Sequence, residues 1–412
     1  MPQPDVIKPA PTSGPAKGPL DGITIIDLSW HLAGPYGMLI LADLGARIIK
    51  VEAPGSHGGY DQRGFLRHYH KGQDAHYMSL NRNKESVTLN LKTEKGRELF
   101  LKLVADADVV FNNFRAGVMK RLGLEHEALV AVNPKIISVS LSSFGQDGPY
   151  AQRPGVDVVV QALSGGMSMT GEPGRPPVRA GLPIGDLAGG MWSAIAVLSA
   201  LRGRDEGLNG GVDIDLALLD GQMAMIPYFS AYYFLDGSVP GPQGSGGHSP
   251  TYGAFRCADN RYLVIAVIDQ GPWAKLCSAL GRTDLIEDPR FASSERRANN
   301  GDELRALIET EFASLPLDEW EVRLEAADLA YARVNRLDEA LADPVVHQRN
   351  MVIEIEHSLG DTLRFVGNPV KFPAFPARLE SPPLIGEDTD AVLTELGLGP
   401  DELQALRSAG VI

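Results

Sequence analysis

The stretch G-I-T-I-I-D-L-S-W-H-L-A-G-P-Y-G-M-L-I-L-A-D-L-G-A-R-I-I-K-V-E (22–52) decides the fold of this chain. Residues 22–29 form a β-branched run that ends at a polar residue, which is typical of a buried strand. Residues 33–46 have helical spacing, with Pro35 early and Gly45 late, where helices tolerate them. Residues 47–52 predict a second strand. A strand, a helix and a strand within about thirty residues indicate the βαβ unit of a parallel sheet.

The same alternation continues along the chain. Further strands are predicted at 86–91, 108–114 and 136–144, and helices at 94–107 and from Ala116 to about Leu122. A long apolar helix is predicted at 187–202, where Gly189 and Gly190 indicate close packing against another backbone. We therefore expect an α/β fold with a parallel sheet.

Length and composition predict more than one domain. A chain of 412 residues exceeds the size at which one hydrophobic core stops growing. The Gly/Pro/Ser-rich stretch 236–253 and the strand and short helices beyond it indicate a smaller α+β domain. We predict a flexible tail (1–19), a large domain (20–225), a small domain (226–330) and a segment that returns to the large domain (331–412).

The charge and the cysteine content exclude several classes of function. The formal net charge of −14 opposes a nucleic-acid or anionic-membrane partner. The first residues contain no apolar signal region, and no run of about 18 uncharged apolar residues occurs. Cys257 and Cys277 form neither a disulfide framework nor a zinc pattern. We expect a soluble protein of the cytoplasm.

Three motifs suggest binding, and each has an ordinary alternative. The loop 241–248 (G-P-Q-G-S-G-G-H) is neither a dinucleotide fingerprint nor a Walker loop; it can offer backbone N–H groups to a substrate or serve as a linker. The N-N-F-R segment (112–115) ends a predicted strand beside basic residues that suit a phosphate, although single surface charges commonly do no more than balance a helix. The histidines of 68–76 match no standard zinc spacing, so we expect no metal site.

Asp186 is a single carboxylate in the apolar stretch A-G-L-P-I-G-D-L-A-G-G-M (180–191). An aspartate directly before a helix commonly serves as its N-cap. The same position also suits catalysis, because a helix N-terminus keeps a carboxylate ionised and hence nucleophilic. The residues alone leave both interpretations open.

Eight segments in order resemble the family III CoA-transferases (the CaiB/BaiF family), which include formyl-CoA transferase and carnitine CoA-transferase. The resemblance covers about Leu20 to Ile412. It is carried by D-L-S-W-H-L-A-G-P (27–35), L-G-A-R-I-I-K-V-E (44–52), N-R-N-K-E-S-V-T-L-N-L-K (81–92), 107–124, S-S-F-G-Q-D-G-P-Y (142–150), 155–171, P-I-G-D-L-A-G-G (183–190) and P-L-I-G-E-D-T-D (383–390).

The resemblance implies that Asp186 is the catalytic nucleophile and that acyl-CoA is a substrate, with no tightly bound cofactor. The positions matching CoA contacts of relatives are Leu32, Ala33, Leu89, Asn90, Leu91, Lys92, Asn113, Phe114, Arg115, Arg121 and the segment Pro154 to Asp157. Gly246, Gly247 and His248 match the family's substrate-binding glycine loop. Some relatives carry Gln and Arg where this chain has Leu32 and Ala53, so those two side-chain contacts are missing. His248 replaces a Gln of the formyl-CoA branch, which argues against assuming oxalate as the acceptor.

The resemblance also implies a Rossmann-like large domain with an open parallel sheet and an interlocked homodimer. Racemases of the same superfamily carry a histidine where this chain has Val156, so transfer is favoured over racemisation. A non-catalytic CoA-binding subunit remains an alternative. NAD-linked oxidoreduction is another, although this chain lacks the glycine fingerprint of NAD-binding proteins. The resemblance also suggests succinyl-CoA as the donor, while the identity of the acceptor acid stays open.

Overall fold

The structure is a computed structural model that describes residues 18–55, 68–207, 210–247, 249–375 and 377–412. Residues 1–17 of the predicted tail lie outside the described residues, and so does His248. Residues 60–67 of the 60–76 loop, the loop that carries the histidines of 68–76, lie outside them as well. The described chain forms two compact units. Within the described residues, the first unit comprises 18–166, 179–238 and 344–412, and the second comprises 167–178 and 239–343.

A six-stranded sheet organises the first unit. Its strand order is β5-β2-β1-β6-β7-β8, and every neighbouring pair is parallel. The strands, with the short β3–β4 hairpin, are β1 (Thr24–Asp27), β2 (Arg47–Glu52), β3 (Tyr69–His70), β4 (Gln73–Asp74), β5 (Lys84–Thr88), β6 (Val109–Asn112), β7 (Ile137–Ser142) and β8 (Val212–Ala217). The chain builds outward from β1 in one direction and from β6 in the other, so the order reverses between them. Open parallel sheets bind ligands at this switch point, outside the carboxyl ends of the strands.

Helices cover both faces of the sheet because successive side chains of a buried strand point to opposite sides. Ile25 packs with Met38 and Val197 on one face, whereas Ile26 packs with Leu99 on the other. The helices of this part are α1 (Ala33–Asp43), α2 (Ala75–Leu80), α3 (Glu94–Ala105), α4 (Val118–Leu122), α5 (His126–Val132), α6 (Asp157–Leu163), α7 (Ile184–Asp205), α8 (Leu218–Met223) and α9 (Pro227–Asp236).

Helices α1 and α7 approach each other closely through glycines. A Cβ atom on Gly190 would lie 2.6 Å from the Ala33 carbonyl oxygen, and one on Gly37 would lie 2.6 Å from the Gly190 carbonyl oxygen. Only glycine permits this backbone contact. Among the described helices, α7 alone is long and apolar enough to cross a membrane by length and composition, a test that core helices of soluble proteins also pass.

The second unit has its own core, built around Trp273, Phe312 and Trp320. An antiparallel sheet of order β11-β10-β9 packs against helices, with a 3₁₀ turn at Thr283–Leu285. Its elements are β9 (Tyr252–Arg256), β10 (Tyr262–Ala266), β11 (Tyr331–Arg333), α10 (Gln270–Leu280), α11 (Ser294–Asn299), α12 (Gly301–Phe312), α13 (Leu317–Ala326) and α14 (Leu337–Leu341).

After the second unit the chain contributes again to the first. It adds α15 (Pro344–Gln348), the hairpin of β12 (Val352–Glu356) and β13 (Thr362–Val366), and the helices α16 (Thr389–Glu395) and α17 (Pro400–Ser408). The two last helices enter the core face that holds Val87 and Leu99. The limits predicted for the small domain, residues 226 and 330, concern domains that fold independently and stay predictions.

Several predicted element boundaries shift in the structure. The strand predicted at 86–91 spans Lys84–Thr88, because Asn90 turns the chain and its carbonyl accepts the Thr93 N–H at 3.0 Å. The helix predicted at 187–202 extends from Ile184 to Asp205, so Asp186 lies inside the helix rather than before it.

Candidate functional site

The loops that follow β1 and β6 meet at the switch point of the sheet. The Trp30 N–H donates to Asn113 Oδ1 at 3.0 Å, and Asn113 Nδ2 donates back to the Trp30 carbonyl at 2.8 Å. The Trp30 ring also meets Phe114 edge-on, with centroids 6.3 Å apart. The structure therefore brings together the predicted CoA contacts Leu32 and Ala33 with Asn113 and Phe114.

A buried cluster of charged side chains binds the backbone of the β1–α1 loop. Lys50 Nζ donates to the Ser29 carbonyl at 2.6 Å, and Lys84 Nζ donates to Asp27 Oδ2 and the Pro35 carbonyl, each at 3.1 Å. Burial alone would raise the pKa of Asp27, but the two lysines and Ser29 hold it below its ordinary value. Burial lowers the pKa of Lys84 to about 8, despite the attraction of Asp27. No local pattern predicts this cluster, because alternation within a buried strand does not reveal a paired charge.

Asp186 is the third residue of α7 and makes no side-chain cap bond, so the N-cap interpretation is wrong. The first turn of α7 is capped instead by Asp157, which begins α6. Its Oδ1 atom accepts the N–H groups of Gly185 at 2.8 Å and Asp186 at 3.2 Å. Gln161 Nε2 donates to the other Asp157 oxygen at 2.6 Å, and Gln161 Oε1 accepts the Ala180 N–H at 2.9 Å. Asp157 was predicted as a CoA contact; in the structure its Oδ1 atom holds the first turn of α7 and its Oδ2 atom accepts from Gln161 of its own helix.

The carboxyl group of Asp186 is not in the strongly ionised state that a helix N-terminus alone would favour. Burial raises its pKa to about 7, and the negative charge of Asp157 acts in the same direction. Asp186 therefore titrates near neutrality, where an ionised fraction is available and is poorly solvated. This corrects the expectation of a carboxylate that simply stays charged.

Helix periodicity places Asp186 on the side of α7 that contacts α1. In a parallel sheet the crossover helices run opposite to the strands, so the N-termini of α1 and α7 lie at the same edge. Gly190 contacts the Ala33 carbonyl, and Asp186 lies one turn before Gly190 on the same side of α7. The carboxyl group thus lies at the carboxyl edge of the sheet, on the side where Leu32 and Ala33 begin α1.

The remaining predicted CoA positions of this unit follow other strands of the same edge. Pro154 is exposed between β7 and α6, beside Arg153, whose guanidinium lies 5.1 Å from the Tyr150 ring centroid. Arg115 and Arg121 are exposed around α4. Leu89, Asn90, Leu91 and Lys92 follow β5, which lies two strands from β1 in the sheet. Leu89 is buried and Lys92 is exposed.

In the second unit, Gly246 and Gly247 lie on a loop that packs against β9. The Ala254 N–H donates to the Ser245 carbonyl at 2.8 Å, and the Gly244 N–H donates to the Gly171 carbonyl at 2.8 Å. A Cβ atom on Gly247 would lie 2.4 Å from Cδ1 of Tyr252, so a side chain at this position would displace that ring.

Comparisons with known proteins agree with this architecture. The sequence profile described as CoA-transferase family III matches residues 20–389. An acetyl-CoA:oxalate CoA-transferase of Acetobacter aceti is 36% identical over 90% of this chain and 93% of its own length. A succinate–glutarate CoA-transferase of Agrobacterium fabrum is 36% identical over 92% of this chain and 96% of its own length.

A solved structure gives the same result. The crystal structure of a CaiB/BaiF family protein from Brucella suis superposes with a TM-score of 0.82 at 34% identity, covering 92% of this chain and all of that one. The shared fold and the family match over most of the chain establish that this protein belongs to the family III CoA-transferases.

Proposed function

We propose that this protein transfers CoA from an acyl-CoA to a carboxylic acid through covalent intermediates on Asp186. The observation that carries the proposal is the position and the chemistry of this one group. Asp186 lies at the ligand-binding edge of the sheet, and burial beside Asp157 raises its pKa to about 7. A partly buried carboxylate of raised basicity is a stronger nucleophile than one in water.

The proposed reaction exchanges one acyl bond for another in balanced steps. The ionised Asp186 carboxylate attacks the thioester carbonyl of the donor; an anhydride C–O bond forms and the CoA thiolate leaves. The thiolate then attacks the Asp186 acyl carbon, so that an aspartyl-CoA thioester forms and the donor acid leaves as a carboxylate. The acceptor carboxylate attacks this thioester, and the released thiolate attacks the acceptor's carbon of the new anhydride. Acceptor-CoA forms and Asp186 is restored.

The chain's other residues bind and orient in this proposal. The loops after β1, β6 and β5 carry the CoA contacts, and the exposed Arg115 and Arg121 suit its phosphates. The loop of Gly246 and Gly247 is proposed to contribute to substrate binding, as its resemblance to the family's glycine loop implies; the Gly246 N–H itself donates to the Gln243 carbonyl at 3.1 Å. His248 and the 60–76 loop are proposed to select the acids.

The substrates are proposed from the relatives. The Agrobacterium enzyme is named for succinate and glutarate and the Acetobacter enzyme for acetyl-CoA and oxalate. We propose succinyl-CoA as the first donor to test and small dicarboxylates as acceptors. A cytoplasmic location belongs to the same proposal, since Cys257 and Cys277 are both free thiols.

We also propose an interlocked homodimer. On α7, Trp192 and Ile195 are 40% and 48% exposed, and on α9, Phe234 and Leu235 are 80% and 83% exposed. Exposed apolar side chains of this size on two helices of one unit favour burial against a second copy. Sedimentation of the wild type as a dimer, and of Phe234→Asp as a weaker dimer, is the expected result.

A racemase is a weaker candidate. It needs a base on each side of the substrate's α-carbon, and the position before Asp157 holds Val156, an apolar side chain that is 61% exposed. Incubation with a chiral 2-methylacyl-CoA in D₂O is expected to leave the α-hydrogen in place. A non-catalytic CoA-binding subunit would bind CoA without forming any adduct.

Intact-protein mass spectrometry tests the covalent proposal. The wild type is mixed with a panel of acyl-CoAs, and the expected product is a CoA-sized adduct that hydroxylamine removes. Asp186→Asn is expected to bind CoA and form no adduct. Asp205→Asn is the matched control, because it removes an exposed carboxylate from the opposite end of α7. Absence of the adduct in a wild type that binds CoA would refute the covalent proposal.

A further inference from the structure

The chain's last elements cover the open edge of the sheet. Strand β5 is an edge strand, and its unpaired backbone groups meet the segment that leads into α16. The Ser86 N–H donates to Asp388 Oδ2 at 2.8 Å, and the Thr88 N–H donates to Thr389 Oγ1 at 3.0 Å. Covering an edge in this way prevents pairing with other chains. Helix α16 then runs back toward the amino end of β2, where Glu395 accepts from Arg47 Nη1 at 2.8 Å.

Helix α17 then ends in a turn that points the chain at the loop after β5. Gly410 adopts a φ of 66°, the left-handed conformation that favours glycine. The Gly410 N–H bonds to the Arg407 carbonyl at 3.1 Å, and the Val411 N–H bonds to the Leu406 carbonyl at 3.0 Å. Val411 and Ile412 are buried. The position of residues 410–412 is therefore fixed by both hydrogen bonds and core packing.

These residues, called here the C-terminal tail or simply the tail (Gly410–Ile412), bind Asn90. The Asn90 N–H donates to the Val411 carbonyl at 2.7 Å, and Asn90 Nδ2 donates to the Gly410 carbonyl at 3.2 Å. In turn Asn90 Oδ1 accepts the Lys92 N–H at 3.2 Å. The Asn90 carbonyl accepts both the N–H and the hydroxyl of Thr93, which caps α3. Asn90 thus links the tail to Lys92 through its side chain and to Thr93 through its backbone.

A second contact holds the same loop from the opposite side. Arg97 Nη1, on the first turns of α3, donates to the carbonyls of Leu91 at 3.3 Å and Lys92 at 3.1 Å. The loop's own hydrogen-bonding groups are therefore largely directed at the tail and at α3. Its conformation depends on those partners, since four residues between a strand and a helix have no core of their own.

We propose that the tail positions the 89–92 loop for CoA, so that the affinity for CoA depends on Gly410–Ile412 although these residues touch no substrate. The inference rests on the proposed function, in which this loop carries CoA contacts. The match to the family profile ends at residue 389, before the tail. Asn90 acts here as a positioning residue.

The test measures CoA binding by calorimetry beside steady-state kinetics, for Asn90→Ala, for a chain shortened by Val411 and Ile412, and for both changes together. Each single change is expected to raise the Kd of CoA about tenfold and the KM of the acyl-CoA similarly, with kcat and the KM of the acceptor changed less than about twofold. The double change is expected to weaken binding by less than the sum of the two single changes, because Asn90→Ala removes the Nδ2–Gly410 bond, the shortening removes the Val411 carbonyl that accepts the Asn90 N–H, and both bonds hold the same loop.

Asn133→Ala is the matched control. Asn133 Nδ2 also donates to two backbone carbonyls, those of Val104 at 3.0 Å and Ala107 at 2.7 Å. Asn133 precedes β7, however, and so lies at the amino ends of the strands, away from the proposed CoA site. It is expected to lower the unfolding midpoint and leave the Kd of CoA unchanged.

Each other outcome overturns a defined statement. An unchanged Kd in folded Asn90→Ala refutes the positioning role, even if the shortened chain does not fold. Additive losses in the double variant show that Asn90 and the tail affect CoA binding independently, and this result also refutes it. A wild type that binds no CoA refutes the proposed function instead.

Discussion

Replacing Asp186 by asparagine is expected to stabilise the fold at neutral and alkaline pH, although it removes the proposed nucleophile. In the folded chain the pKa of Asp186 is raised to about 7, whereas the ordinary value of 3.8 applies to the unfolded chain. Between these two pH values the folded state keeps a proton that the unfolded state has lost. The stability contributed by this group is therefore full below about pH 4, falls as the pH rises, and is constant above about pH 7.

The magnitude follows from the same two values. A pKa displaced from 3.8 to about 7 corresponds to about 4 kcal/mol of unfavourable free energy for the ionised form. Asp186 is only partly shielded from solvent, so we take this as an upper bound and expect about 2 kcal/mol or more. Asparagine has nearly the same shape and no charge. The variant is expected to equal the wild type near pH 4 and to exceed it by that amount near pH 8.

Urea unfolding followed by tryptophan fluorescence measures the difference. The protein concentration is held equal in every sample, because assembly contributes to apparent stability. Asp205→Asn, at the exposed end of the same helix, is expected to show no such pH-dependent gain. If Asp186→Asn is no more stable than the wild type near pH 8, the reasoning from burial and from the Asp157 charge is wrong.

Three further substitutions test the site. Asp157→Asn keeps an oxygen for the α7 N–H groups but removes a charge that raises the pKa of Asp186, so the acid limb of the pH–kcat/KM profile, expected near pH 7, should move to lower pH. Asn113→Ala removes both bonds to the Trp30 backbone; we expect the KM of the acyl-CoA to rise roughly tenfold, and an unchanged KM would contradict the role given to this loop. Gly190→Ala places a Cβ 2.6 Å from the Ala33 carbonyl oxygen and is expected to cost about 1–3 kcal/mol in urea unfolding; a neutral effect would show that α1 and α7 can separate freely.

Much of the large unit could be predicted from local patterns. The 22–52 stretch predicted a βαβ unit, and the structure has β1, α1 and β2 in parallel pairing there. Candidate residues after β1 and β6 were assigned one by one, and the Trp30–Asn113 bonds join the two loops. The family assignment from eight short segments is confirmed by the profile match.

Other features depend on residues that are distant in sequence. The cap of α7 comes from Asp157, 29 residues before Asp186, and nothing in the 180–191 stretch indicates it. Lys84 reaches Asp27 across 57 residues, and the tail reaches Asn90 across 320. Such pairs form only when the fold brings distant parts of the chain together, so no local periodicity in the sequence predicts them. The local rule that a helix N-terminus keeps an aspartate ionised failed for the same reason.

The raised pKa of Asp186 also bears on the direction of the proposed reaction. In the first anhydride the CoA thiolate can attack either of two acyl carbons. Attack on the donor's carbon expels the Asp186 carboxylate and returns the starting thioester, whereas attack on the Asp186 carbon expels the donor carboxylate and goes forward. Burial and the Asp157 charge disfavour negative charge on Asp186, while an ordinary carboxylic acid has a pKa of about 4. In the proposed mechanism this difference favours expulsion of the donor carboxylate in the first half-reaction, and by the same reasoning it makes expulsion of Asp186 in the last step the less favourable one.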